Sequence, residues 1–135
     1  MGTVDLIMPK LHVMIVSLPG IWQKMLQNNI ESYPFVEVDH VASGGLSAIQ
    51  RIKKQPPNLI VIDSSIPVDD SKVLIQRLRE ENPKIKIIIL TDTAYQQKIM
   101  LRNGVDYVVS TCNYEAEIAE ILENMNKLIN KNVVP

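Results

Sequence analysis

The segment Asn58-Leu59-Ile60-Val61-Ile62-Asp63-Ser64-Ser65-Ile66-Pro67 constrains the fold more than any other stretch of the chain. Leu59–Ile62 is a continuous apolar run ending in a lone carboxylate, and a polar turn closed by proline follows. Such a run reads as a strand covered on both faces, as in a parallel sheet beneath helices. Asp63 then stands at the carboxyl end of a central strand, the edge at which open α/β sheets bind ligands. From this segment alone, an aspartate that only starts a turn is an equally good reading.

The flanking sequence supplies the rest of such a sheet. Val13–Val16 is a short buried-type strand, broken by Ser17-Leu18-Pro19-Gly20. Pro19 suits a first helical turn with Ser17 or Leu18 as its cap, and Ile21, Trp22, Met25, Leu26, Asn29 and Ile30 recur with helical spacing. Trp22 reads there as core or core edge. Phe35–Val41 alternates, with Phe35, Glu37, Asp39 and Val41 opposite Val36, Val38 and His40, which suits a half-exposed edge strand. Ser43-Gly44-Gly45 starts a helix to about Gln55 with Leu46, Ala48, Ile49 and Ile52 inward; the phosphate-loop spacings of glycine and lysine are absent.

After Pro67 a helix carries Val73, Leu74, Ile75 and Leu78, and Asp69-Asp70 in its first turn are ordinary partners of the helix dipole. Ile85–Leu90 is the next buried strand, with Thr91 at its end; a helix near Tyr95–Asn103 closes on Gly104, and Tyr107–Val109 is the last strand. Asn113 caps a final helix striped by Ile118, Ile121, Leu122, Met125, Leu128 and Ile129. Strands alternating with helices predict an α/β fold, a doubly wound five-stranded parallel sheet in three αβα layers.

Composition narrows the function classes. A chain of 135 residues that is 46% hydrophobic fills one domain with a real core. Interleaved charges summing to −1 argue against a basic nucleic-acid face. A single cysteine, Cys112, excludes an internal disulfide, and His12 and His40 have no cysteine partners for an ordinary zinc site. No apolar run reaches membrane-spanning length, and the leader Met1–Lys10, with Asp5 and Pro9, is not a signal peptide. Leu6 stands where N-myristoylation needs Ser or Thr. A soluble cytoplasmic domain is expected, with residues 1–10 a leader, 11–129 the domain and 130–135 a tail or linker.

Over roughly Leu11–Ile129 the chain resembles the receiver (CheY-like) domains of bacterial two-component response regulators. The matching pieces are Asn58–Asp63 with Pro67, Ile89-Leu90-Thr91, Gly104-Val105-Asp106 and the loop Val41–Gly45. The resemblance implies a flavodoxin-like sheet in the order 2-1-3-4-5. It implies that Asp63 is the position phosphorylated by a histidine kinase and that Thr91 is the switch position contacting the phosphate. It also implies docking on a protein partner, a kinase or an output domain, through the fourth helix, last strand and last helix. That face would offer Tyr95, Lys98, Arg102, Tyr107, Glu117, Glu120 and Glu123–Asn124, and suits a homodimer as well.

The chain departs from the pattern where charge matters. Ser17 and Leu18 occupy the two acid positions that would hold Mg²⁺, Thr111 occupies the lysine position, and Val108 the position of an aromatic. Hydroxyls at Ser17, Ser64, Ser65, Thr91, Ser110 and Thr111 fall near one sheet edge, where they would hydrogen-bond Asp63 without a metal. The expectation is a pseudo-receiver: no enzyme, no cofactor, no metal, little or no phosphorylation. The alternative is a working phospho-acceptor with Mg²⁺ on Asp63 and Ser65, helped by Asp92 or Asp69-Asp70. An unrelated flavodoxin-type pocket, with Leu18 and Cys112 as wall or thiol, is a further rival; plain packing is the simpler reading of both residues.

Overall fold

The computed structural model describes residues 9–131. Five parallel strands, β1 (Leu11–Val16), β2 (Val36–Ala42), β3 (Leu59–Ile62), β4 (Lys86–Thr91) and β5 (Tyr107–Ser110), form one sheet in the order β2-β1-β3-β4-β5. The helices are α1 (Ile21–Glu31), α2 (Gly45–Lys54), α3 (Val68–Glu81), α4 (Ala94–Arg102) and α5 (Tyr114–Lys131). This is the doubly wound sheet expected from the sequence, in the strand order that the resemblance to receiver domains implies. The leader's residues 1–8 and the tail's 132–135 lie outside the described residues.

Alternate side chains of the buried strands feed two cores. Val13, Ile15, Leu59, Val61, Ile88 and Leu90 pack with Leu26 and Ile30 of α1 and Ile118, Leu122 and Met125 of α5. Met14, Val16, Ile60, Ile62, Ile87 and Ile89 pack with Ala48 and Ile52 of α2, Leu74, Ile75 and Leu78 of α3, and Met100 of α4. Every residue of β3 is buried, as strands covered on both faces require.

Several expectations need correction. α1 begins only after Gly20, whose φ of +152° no side chain favours, so Pro19 precedes the helix and neither Ser17 nor Leu18 caps it. Ile21 and Met25 lie on the outer face of α1, as do Leu46 on α2, Val73 on α3 and Leu128 on α5. Each apolar stripe is therefore narrower than helical spacing suggested. A bulge in β2 pairs Val38 with Val13 but His40 with Met14, skipping Asp39. The extra residue breaks the alternation, so Val41 packs with Val36 and Val38 on one face. Thr111–Asn113 form a 3₁₀ turn that runs into α5, so Asn113 lies within the turn.

The Gly104-Val105-Asp106 motif has a structural task. Gly104, at φ +87°, lets the chain reverse after α4. Arg79 of α3 donates to Gly104 O (2.7 Å), Ile85 O (2.9 Å) and Asp106 Oδ2 (2.6 Å), and Asp106 Oδ2 also accepts Ile87 N–H at 2.8 Å. One guanidinium thus ties α3 to the starts of β4 and β5.

Candidate functional site

The sheet brings the carboxyl ends of β1, β3, β4 and β5 together, and Asp63 sits among them. Its backbone N–H donates to Val16 O at 2.9 Å, extending the β1–β3 ladder by one residue and fixing the side chain at the edge. Only 1% of Asp63 is exposed, so its carboxylate needs partners from the protein.

Four side chains supply them. Ser17 Oγ donates to Oδ2 at 2.8 Å and Ser65 Oγ to the same oxygen at 2.6 Å. Ser64 Oγ donates to Oδ1 at 3.3 Å, and the indole N–H of Trp22 donates to Oδ1 as well. Each donor is itself held. Leu18 N–H donates to Ser65 Oγ (3.0 Å), which leaves the Ser65 proton free for Asp63. Gln23 Nε2 donates to Ser17 O at 2.7 Å, pinning the loop between β1 and α1. The Trp22 ring packs edge-on against Tyr114, with centroids 4.9 Å apart and planes at 82°.

Of the hydroxyls expected at this edge, Ser17, Ser64 and Ser65 bond Asp63. Thr111 Oγ1 instead donates to Thr91 O at 3.2 Å and lies 3.5 Å from Ser64 Oγ. Ser110 is paired in the sheet with Thr91. Thr91 is 3% exposed, and its Oγ1 has no partner among the described residues. It lines a cavity of about 10 Å³ together with Asp63, Ser64, Ser71, Gln96 and Met100. Leu18 and Cys112 are both exposed, which corrects the expectation that they pack. Asp92, Asp69 and Asp70 are exposed as well.

Trp22 is the site residue that sequence reasoning missed. Its helical spacing made it look like core, and it is half-buried, but its polar end is what reaches the site. The available signal was chemical: a covered indole N–H needs an acceptor, and the first turn of α1 follows directly from the sheet edge that carries Asp63.

Elsewhere, burial pushes the Tyr114 phenol above its ordinary value of 10, with the charge of Glu115 adding to the effect. Burial likewise raises Tyr33, helped by Glu123 and then Glu115. His12 Nδ1 meets Asp39 Oδ1 at 2.8 Å and Glu37 Oε2 at 3.5 Å at the opposite end of the sheet.

Comparison with known proteins agrees with this architecture. A sequence model for the response regulator receiver domain matches residues 13–127. The probable C4-dicarboxylate response regulator DctR of Priestia megaterium is 27% identical over 106 residues, which are 76% of this chain and 46% of that protein. A protein-glutamate methylesterase/protein-glutamine glutaminase of Trichodesmium erythraeum is 23% identical over 95% of this chain and 36% of its own length. The chain therefore spans less than half the length of these relatives. Among solved structures, the isolated REC domain of RcsB from Salmonella enterica serovar Typhimurium, with the phosphomimetic BeF3−, superposes with a TM-score of 0.76. Its identity is 20%, over 87% of this chain and 89% of that one. A LuxR-family response regulator from Aurantimonas sp. SI85-9A1 gives 0.75 at 20% identity, covering 87% and 85%.

Proposed function

The chain belongs to the response regulator receiver domain family, and from that premise we propose that it is a receiver module of a two-component-type regulator that signals by docking, with little or no phosphorylation. The observation that carries this reading is the saturation of Asp63: both carboxylate oxygens accept hydrogen bonds, from Ser17 and Ser65 on one side and Ser64 and Trp22 on the other.

The donor set around Asp63 does not fit Mg²⁺. That ion demands near-octahedral oxygen coordination and is held chiefly by carboxylate charge. Ser17 brings a hydroxyl that is already donating, and Leu18 an aliphatic chain exposed to solvent. Phosphoryl transfer to Asp63 would also lack a cation at Thr111, whose hydroxyl is turned to Thr91 O. Removing a single electrostatic clamp typically costs about 3–4 kcal/mol of transition-state stabilisation, and in phosphoryl transfer such clamps are nearly all that the protein contributes.

The module then acts on partners, not on a substrate. The face of α4, β5 and α5 suits this role: Tyr95 and Leu101 project from α4, Lys98 lies between them in sequence, and Glu117, Glu120 and Asn124 line a groove of about 380 Å³ with Asp106, Tyr107 and Ile121. The Arg102 side chain expected on this face lies outside the described residues. Opposite charges on α4 and α5 favour a two-fold dimer or a kinase-like or output-domain partner. Lys98→Glu is expected to weaken such a dimer in sedimentation velocity, and an unchanged coefficient would remove this face from the reading. A cytoplasmic location follows from the reading; no helix among the described residues is long and apolar enough to cross a membrane.

One observation favours a second reading, a working phospho-acceptor using Mg²⁺ on Asp63 and Ser65: the Thr91 hydroxyl is buried beside Asp63 without a partner among the described residues. Incubation with acetyl phosphate and Mg²⁺, followed by intact mass spectrometry, separates the two. No phosphoryl adduct is expected on the intact protein; an adduct that Asp63→Asn abolishes would overturn the docking-only reading.

A further inference from the structure

We infer that Trp22 and Tyr114 form an aromatic link through which the state of Asp63 is read on α5. Among the described residues, Trp22 is the only side-chain donor to Asp63 that belongs to a helix; the other three lie in the loops after β1 and β3. Its indole therefore joins two bodies: N–H on the carboxylate, ring on the first residue of α5. Tyr114 is 9% exposed and belongs to the core shared by α1, α5 and the sheet, which also holds Ile118 and Leu122 of α5.

This geometry converts a polar change into a packing change. An N–H bonded to a carboxylate holds the indole in one orientation. Removing the acceptor, or adding a group to Oδ1, leaves a covered donor unpaired, and such a donor turns to find another partner. A T-shaped pair depends on ring orientation, so the turn alters the contact that seats the start of α5. On the opposite face of the sheet no comparable path exists among the described residues: the Thr91 hydroxyl has no partner, and β5 presents the aliphatic Val108. Trp22 is thus a positioning residue that acts through Tyr114.

The link is independent of whether Asp63 takes up phosphate, so it can fail while the docking reading stands, and the reverse. The test uses the ¹⁵N-labelled 135-residue chain, whose single tryptophan gives one indole N–H resonance. Asp63→Asn and Asp63→Ala are each combined with Trp22→Phe, which keeps an aromatic ring and loses the donor. In the Trp22 background both Asp63 variants are expected to move the indole resonance upfield and to shift the backbone amides of Tyr114–Ile118. In the Trp22→Phe background the same Asp63 variants are expected to leave those α5 amides nearly unmoved. Tyr114→Leu should preserve the indole shift while abolishing its spread along α5. An indole resonance indifferent to Asp63, or an α5 response of equal size without the indole, overturns the link. Asp63→Asn keeps the test open if Asp63→Ala does not fold.

Discussion

Ser17→Ala offers the cleanest measure of how Asp63 is held. Ser17 is fully buried, and its Oγ donates to Oδ2 at 2.8 Å. The substitution deletes one donor and almost no volume. A hydrogen bond to a charged group contributes about 1.5–3 kcal/mol. Oδ2 keeps Ser65 at 2.6 Å and Oδ1 keeps both of its donors, so the lower half of that range applies, about 1.5–2 kcal/mol. For a domain of this size, a kcal/mol moves Tm by roughly 3–5 °C, giving a fall of about 5–10 °C. The assay is a double-mutant cycle by urea denaturation at neutral pH, with Ser17→Ala, Asp63→Ala and the pair, and exposed Ser43→Ala as control. A coupling of about 1–2 kcal/mol between positions 17 and 63 is expected. If Ser17→Ala costs the same with Asp63 absent, the loss is a packing effect and the account of the carboxylate's partners is wrong.

Leu18→Asp adds a carboxylate at an exposed position beside Asp63 and should strengthen Mg²⁺ binding relative to the parent; tenfold excess over Kd would add about 1.4 kcal/mol in thermal shift. Equal shifts in the two proteins would remove Leu18 from the explanation. Gly104→Ala forces a side chain into φ +87°, where the new Cβ meets Arg79 only at 3.7 Å, so the penalty is conformational, about 1–2 kcal/mol by denaturation. Tyr114 is raised in the folded state, so its contribution to stability is complete below pH 10 and is lost as pH rises through the folded value. Tyr114→Phe should therefore flatten the alkaline fall in stability above pH 10, measured by urea denaturation, with little slope change below it.

The sheet was legible because its signal is local: four consecutive apolar residues in β3 state that both faces are covered, and no long-range fact is needed to read them. Helix faces were legible only in part. Spacing identified Leu26, Ile30, Ile118 and Leu122, yet Ile21 and Leu128 share that spacing and stand exposed, since periodicity marks a stripe and not its width. The bulge at Asp39 was invisible, because it is a property of the β1–β2 register and not of either strand. At the site, Ser17, Ser64 and Ser65 were legible from topology, being residues that follow strand ends. Trp22 was not, because the choice between its apolar body and its polar tip depends on where α1 lands.

What α1 does at that edge connects these observations. The loop from Val16 to Gly20 leaves the sheet with a buried serine, exposes Leu18, and uses the positive φ of Gly20 to start the helix. Two acids in that loop would repel Asp63 unless a cation lay between them. With Ser17 there instead, the edge closes on itself: the serine donates inward, Leu18 N–H orients Ser65, and α1 comes down so that Trp22 completes the shell. The serine at position 17 and the indole over Asp63 then work together, since an indole N–H and a metal ion would compete for the same carboxylate oxygen. Adding a carboxylate without removing the indole should therefore build only part of a metal site, and Leu18→Asp combined with Trp22→Phe should bind Mg²⁺ more tightly than Leu18→Asp alone in isothermal titration. Equal affinities would mean that the indole does not guard Asp63.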